Sequence, residues 1–478
     1  MGNRAKGFYL IAMFALILLT ALCIQQKFYL KIDLTTVYVC YLLIGFSNLF
    51  VTSKGLTWDK IVGWSFVAYS AGIPLYSLTD GGLEAFLGTK MYYNEVYDAV
   101  TVCESVFYCA LFLASFYFAY YLFLPDSPKK PKREAAPAPD PEGIGYDYFY
   151  SKHFIHFWLL GSLGLYLLGM YKIDYLSAVS IGYDLDNSGY VFLFTAVYAV
   201  DIGILILLRM TRFDKRYLAL SGMIHLPLFP LGIRQLTLTF ILELWLLHKF
   251  TNPQRTVKGR ELLLGGMFLL LFGFIGMVRG GGDSSVNVLS LFKAPLEFYF
   301  YETTFNYISF LKCLDLFKEH TVSFLYGKTL IDPLFEQIPS LILPNKEDFQ
   351  FFERFVVQYE SIENLKPVGT AHLLTELYVN GGAVSVILFA FLLGFTAKAL
   401  QGKLQNTLAR NGMVGQIIFA AVIPFVMIQL NRGGLSVLLK LSFQFAVLPM
   451  WIVILFRLRL KPQFVMLKDK LIRFRPEH

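Results

Sequence analysis

A chain of 478 residues that is 56% hydrophobic and only 16% charged, with a mean hydropathy of +0.54, lacks the polar surface that a water-soluble globular protein needs. Its net charge of +8 would suit nucleic acid, but the Lys and Arg sit in short clusters between apolar runs, where they orient helices in a bilayer; a nucleic-acid partner is excluded. The five cysteines, Cys23, Cys40, Cys103, Cys109 and Cys313, form no CxxC pair and imply neither a disulfide framework nor a zinc site.

A bilayer core about 30 Å thick takes roughly 20 apolar residues per helix. Arg4 and Lys6 precede the first apolar run, Phe8 to Ile24, which lacks an A-x-A cleavage pattern and is therefore read as a retained helix. Runs from Leu34 to Val51, Ile61 to Leu78 and Ala99 to Leu124 complete a four-helix segment over 1–124. The stretch PKKPKREAAPAPDPEG makes 125–152 a disordered, cytoplasmic, Pro-rich linker. Central runs over 153–278 follow: Phe154 to Tyr171, Tyr190 to Leu208, Tyr217 to Ile233, a short Leu236 to Leu247, and Leu262 to Val278.

Residues 279–369 read as one long extracytoplasmic loop with amphipathic helices. Within it PLEFYFYETTFNYISFLKCL is aromatic and amphipathic and is expected to lie against the membrane, whereas IPSLILPNKEDFQFFERF is broken by Pro339 and Pro344. Ala383 to Ala399, Val414 to Leu430 and Leu435 to Phe456 form the last membrane segment, 370–457, before a basic tail over 458–478. The expectation is an all-α polytopic membrane protein of about twelve spans. Alternate threading puts both termini and most of the 42 Lys and Arg on the cytoplasmic side.

Three arginines break that charge rule. Arg234, Arg279 and Arg432 fall at outer helix ends, each beside glycine or a turn. Guanidinium is a planar fork that matches phosphate oxygens, and glycine lets backbone amides approach the same ligand, so the three are read as a shared site for an anionic headgroup. Snorkelling to lipid phosphates is the alternative. Lys440 follows Arg432 by eight residues, about 12 Å along a helix, and needs a polar cavity there. Asp201, His225 and Glu243 fall near the middles of adjacent helices, where polar packing or a proton pathway would place them. His372 and Glu376, in GTAHLLTELYVNGG, share a helix face, and either could take a proton from a hydroxyl. Tyr299, Tyr301, Phe305 and Tyr307 could stack on sugar rings or anchor at the interface. No HExxH helix or Walker loop is present.

From about Leu231 to Leu441 the chain resembles the Wzy-type oligosaccharide repeat-unit polymerases, the O-antigen and enterobacterial common antigen polymerase group. The resemblance rests on the order of LGIRQL, IPSLILPNK, ELYVNGGAVSVIL and NRGGL. It implies a metal-independent glycosyltransferase of GT-C type at the outer face of a bacterial inner membrane, needing no cofactor. The donor would be a glycan on undecaprenyl pyrophosphate, the acceptor the non-reducing sugar of a second lipid-linked unit, and a chain-length regulator protein a partner. Arg234, Arg279 and Arg432, with Lys440, would hold the pyrophosphate, and His372 resembles the histidine of the related O-antigen ligases. The rival expectation is a flippase for the same lipid-linked oligosaccharide, which would use Asp201, His225 and Glu243.

Overall fold

In the computed structural model, residues 11–19, 31–51, 56–79, 99–122, 144–175, 188–228, 233–252, 288–338, 345–366, 370–409 and 411–455 are described, with a few single positions between them. The run 262–278 apart from Met267, Arg279, most of the linker, Pro339, Pro344 and the basic tail lie outside that set. Among the described residues the helices include α1 (Lys31–Phe46), α2 (Trp58–Ser70), α3 (Gly72–Leu78), α4 (Ala99–Leu122), α5 (Ile144–Lys172), α6 (Ser188–Met210), α7 (Lys215–His225), α8 (Arg234–Thr251), α9 (Val288–Glu319), α10 (Asp332–Glu336), α11 (Phe351–Tyr359), α12 (Leu373–Ala409), α13 (Met413–Gln429) and α14 (Gly434–Ser442). The last runs on through a π-turn, Phe443–Val447, so that 434–455 is one apolar stretch.

Among the described residues five helices are long and apolar enough to cross a bilayer, or six if α2 and α3, bent by 42° at their junction, make one span. The protein is therefore an all-α polytopic membrane protein. Its chain divides into two compact units: residues 1–128, 258–403 and 425–440 form one, and 129–257, 404–424 and 441–478 the other.

In the first unit α1, α2, α3 and α4 pack together, with α9 against α2, α3 and α4. The bend after α2 coincides with Gly72 and Pro74, and carbonyls beside it take extra donors: Tyr38 gives its hydroxyl to Ala71 O at 3.1 Å, and Tyr299 to Ala68 O at 2.6 Å. Helix α9 is more enclosed than an amphipathic surface helix would be. Tyr307, Ile308, Phe310, Leu311, Cys313, Leu314 and Leu316 are all buried, because the stretch is apolar over most of its circumference and polar groups within it find partners, Tyr307 with Ser105 at 2.8 Å and Ser309 with Thr375 at 2.8 Å. Tyr307 is thus committed to the core, Tyr299 is half-buried with its hydroxyl on Ala68 O, and the side chains of Tyr301 and Phe305 lie outside the described set.

After its first two turns α12 shows how lipid acts as solvent. Val386, Ala390 and Ala397 are buried, while Val384, Leu388 and Leu392, one helical turn apart, are exposed and apolar. Such a stripe is costly against water and neutral against acyl chains.

The second unit centres on α6, which packs against α5, α7, α8 and the π-turn. Gly169 lets α5 approach the Leu193 backbone of α6, the small-residue contact typical of helices in membranes. On its far side α5 exposes Phe157, Leu160 and Leu167. Two expectations are corrected here. The linker stops earlier than 152, since α5 starts at Ile144, where the chain loses its prolines and becomes aromatic. The run from Tyr217 to Ile233 is not one span: α7 has 11 residues, and Pro227 and Pro230 then end the helical pattern.

Asp201 and His225 meet inside this unit. His225 Nε2 lies 2.9 Å from Asp201 Oδ1, its Nδ1 lies 3.3 Å from Thr237 Oγ1, and the Phe240 ring stacks on it at 4.6 Å. Glu243 is buried one turn beyond Phe240 on α8. A paired, stacked imidazole in a dry site fixes helix packing. Asp201→Asn, His225→Ala and Glu243→Gln are each expected to lower the yield of monodisperse protein on size exclusion more than the activity per folded molecule. Full yield with lost function would contradict the packing role.

Candidate functional site

The site is organised by a break in α12. Residues 373–380 form a short helix, and Gly381 and Gly382 then leave helical geometry before the long membrane helix resumes. At Gly382 φ is +57° and ψ is −139°, a conformation that a side chain opposes and glycine tolerates. A broken helix leaves carbonyls without partners, and nearby groups supply them. Leu325 N donates to Val379 O at 2.9 Å and Tyr326 N to Asn380 O at 2.9 Å, while Ser385 Oγ donates to Leu377 O. Asn380 supplies the rest: its Nδ2 donates to Glu376 O and to Thr329 Oγ1, both at 2.7 Å, and its Oδ1 accepts from Gly327 N at 3.0 Å. The Asn of ELYVNGG is thus the tie between the broken helix and the 325–329 turn.

At the other end of the short helix the sequence motif NRGGL folds back onto it. Ala371 N donates to Arg432 O at 3.3 Å, and Leu435 N, in the first turn of α14, donates to Glu376 Oε2 at 3.1 Å. Gly434 has φ +70°, and a Cβ there would overlap Glu376 Oε2. Only glycine allows the carboxylate to reach that turn. Gly434→Ala therefore imposes left-handed strain of about 1–2 kcal/mol and displaces Glu376 as well. It is expected to lower the thermal midpoint in detergent and to remove most activity. Gly402→Ala, in a helix position with open space around it, should do neither.

Glu376, His372, Arg432, Gly433, Gly434 and Ser436 line one cavity of ≈ 70 Å³, together with Asp332, Glu336, Gln350, Glu353 and Lys366. That volume is well below the roughly 300–1,000 Å³ of pockets that enclose whole small molecules. It holds a reacting group or a few waters rather than a saccharide.

His372 is inside the protein with both ring nitrogens engaged. Leu374 N donates to its Nδ1 at 3.2 Å, which leaves the ring proton on Nε2, 3.0 Å from Ser70 Oγ. Its backbone N–H is taken by Ser309 Oγ at 2.7 Å, and burial pushes its pKa down to about 3. The imidazole is held at the start of α12 and lines the same cavity as Glu376.

The wall opposite in sequence is the 332–353 segment. Asp332 accepts the Phe351 and Phe352 amides at 2.8 Å each, and burial still raises its pKa above the ordinary aspartate value despite those bonds. Burial pushes Glu336 the same way, but Lys440 at 2.9 Å, Lys346 at 3.2 Å and Gln350 at 2.7 Å outweigh it and leave its pKa below the ordinary glutamate value. Lys440 is in a polar setting, as its position demanded, with its charge met by a protein carboxylate. Lys366 pairs with Glu353 and sits over the Phe352 ring.

Of the residues singled out from sequence, His372, Glu376 and Arg432 come together, with Lys440 joined to the cavity wall through Glu336. Arg234 opens α8 in the other unit and its side chain lies outside the described set, as does Arg279 entirely. Sequence reasoning missed Asp332, Glu336, Glu353 and Lys366. Their signal was Asp332 and Glu336 at i, i+4 around Pro333, a charged turn inside an apolar segment.

No protein-family model, curated protein or solved structure matches this chain. Its chemistry has to be read from the site. Among the described residues no group of three or more His, Cys, Asp or Glu side chains is placed to hold a metal ion. What the cavity offers is a carboxylate that accepts a helix N-terminal amide, an arginine in the same lining and the backbone of a glycine turn, a set suited to taking a proton from a hydroxyl while meeting developing anionic charge.

Proposed function

We propose that this protein is a metal-independent glycosyltransferase that polymerises lipid-linked oligosaccharide repeat units at the outer face of a bacterial inner membrane, with about twelve spans in a GT-C-like arrangement and both termini cytoplasmic. The observation that carries the reading is that Glu376 and Arg432 line one small cavity at the start of α12. Glu376 takes the proton of the acceptor sugar's hydroxyl as that oxygen bonds to the anomeric carbon of the donor. The bond from that carbon to the pyrophosphate breaks, and its electron pair leaves on the phosphate oxygen beside Arg432. Guanidinium supplies there the charge stabilisation that a metal supplies in other transferases.

The size of the cavity is consistent with a reaction in which only the reacting groups enter and the glycans stay outside. The partners are undecaprenyl-pyrophosphate-linked oligosaccharides, the bilayer and a chain-length regulator. Purified protein in proteoliposomes with lipid-linked repeat units tests this reading. A ladder of products supports polymerisation, whereas transbilayer movement of intact units without a ladder supports the flippase.

A further inference from the structure

The segment that walls the cavity has two unlike faces. Asp332 and Glu336 of α10 face the cavity, and Asp332 is fixed by the Phe351 and Phe352 amides. On the other side of the same stretch Tyr326 is 79% exposed and Leu334 68%, and Leu330, Ile331 and Phe349 are exposed with them. Four large apolar or aromatic side chains within 326–334, with Phe349 stacked on Phe335 of the same segment, would be a costly surface to leave against water. On and after α11 the exposed residues are mixed, Arg354, Gln358 and Glu360 standing with Val357 and Ile362.

What covers the apolar side follows from where it begins. Tyr326 N is bonded to Asn380 O, and the Phe324 ring lies 3.5 Å from the Cβ position of Gly382, so the turn is seated on the break in α12. Two residues past Gly382 the lipid-facing stripe starts at Val384, 65% exposed, and continues through Leu388 and Leu392. The apolar side of 326–334 is thus anchored at the end of a surface that membrane lipid already covers. A tyrosine and an exposed lysine, Lys328, stand at that end, the residue types that favour the level of the headgroups.

We propose that the 326–334 turn and Phe349 form a membrane-seated rim, with Tyr326, Leu330, Ile331, Leu334 and Phe349 sunk at the boundary of acyl chains and headgroups. The rim holds the cavity of Glu376 level with the bilayer surface. An amphiphile anchored by a lipid tail then reaches the cavity with its head group while its tail remains in the membrane. The inference rests on the membrane embedding of the chain and on the geometry of this turn, not on the reaction proposed above.

Nitroxide labels on Leu330→Cys, Leu334→Cys and Gln358→Cys test it in vesicles of phosphatidylethanolamine and phosphatidylglycerol, with the unsubstituted chain as the labelling blank. Molecular oxygen concentrates in lipid and a nickel chelate in water, so the ratio of their collision rates reports depth. The ratio is expected to be severalfold higher at 330 and 334 than at 358. Adding Ile331→Glu to Leu334→Cys is expected to move the label towards water while size exclusion stays monodisperse. Nickel access at 330 and 334 equal to that at 358 would overturn the proposal, as would exclusion of both reagents there, which would mean that protein covers the patch. Because depth is read without turnover, a lipid-seated rim in a protein that builds no glycan would count against the proposed reaction and leave the rim standing.

Discussion

Glu376→Gln is expected to abolish polymerisation while leaving expression and folding intact. The amide keeps the shape of the side chain and an oxygen that accepts the Leu435 N–H, so the contact between the short helix of α12 and the start of α14 survives. What the amide cannot do is take a proton. General-base catalysis contributes about 10²–10⁴-fold, or about 2.7–5.4 kcal/mol of the barrier. The check is turnover of lipid-linked units by purified variant and parent at equal folded concentration, with melting curves alongside. Parent-like turnover would remove Glu376 from the chemistry and leave it a helix cap. His372→Ala should fail differently. It strips partners from the Leu374 amide and Ser70 in a buried site, so folded yield falls before turnover can be compared.

Arg432→Lys is expected to be nearly as damaging as Arg432→Ala. Lysine keeps the charge and loses the planar fork, so a residue that only snorkels to lipid phosphates tolerates the change, whereas one that grips a pyrophosphate does not. Losing a charge-assisted bidentate contact in a partly dry site costs on the order of 2 kcal/mol, roughly thirtyfold in turnover. The Arg432 backbone carbonyl accepts from Ala371 N and is present in both variants, so the packing of the NRGG turn is held constant in the comparison. Full activity of Arg432→Lys would assign the residue to lipid anchoring.

Much of this site was visible as motifs before it was visible as a place. Glu376 and Arg432 drew attention because one lies in a polar, glycine-ended helix start and the other breaks the charge rule of membrane loops. Their meeting was not legible, since 55 residues and a membrane helix pair separate them and no local pattern encodes the return of NRGGL to the start of α12. The surroundings of His372 were equally hidden, because they depend on Ser70 and Ser309, which are remote in sequence. Helix α9 was misjudged for a related reason. Its aromatic and polar residues suit an interfacial helix, and only neighbours such as Ser105 and Thr375, which satisfy Tyr307 and Ser309, make burial affordable.

By itself the sequence determined that lipid is the solvent and helix the architecture, because apolar content and run length are properties of a segment alone and the bilayer forces every backbone group to be satisfied within it. Run length alone suggests one span from Tyr217 to Ile233, and Pro227 and Pro230 break it, since proline acts on its own backbone. Tertiary structure decided which charges face one another. Glu336 meets Lys440 and Lys346, Asp332 caps a helix 19 residues away, and Glu376 reaches a turn that only Gly434 leaves open. Pairings of that kind are set by the packing of distant helices, and a buried charge has no local rule that names its partner.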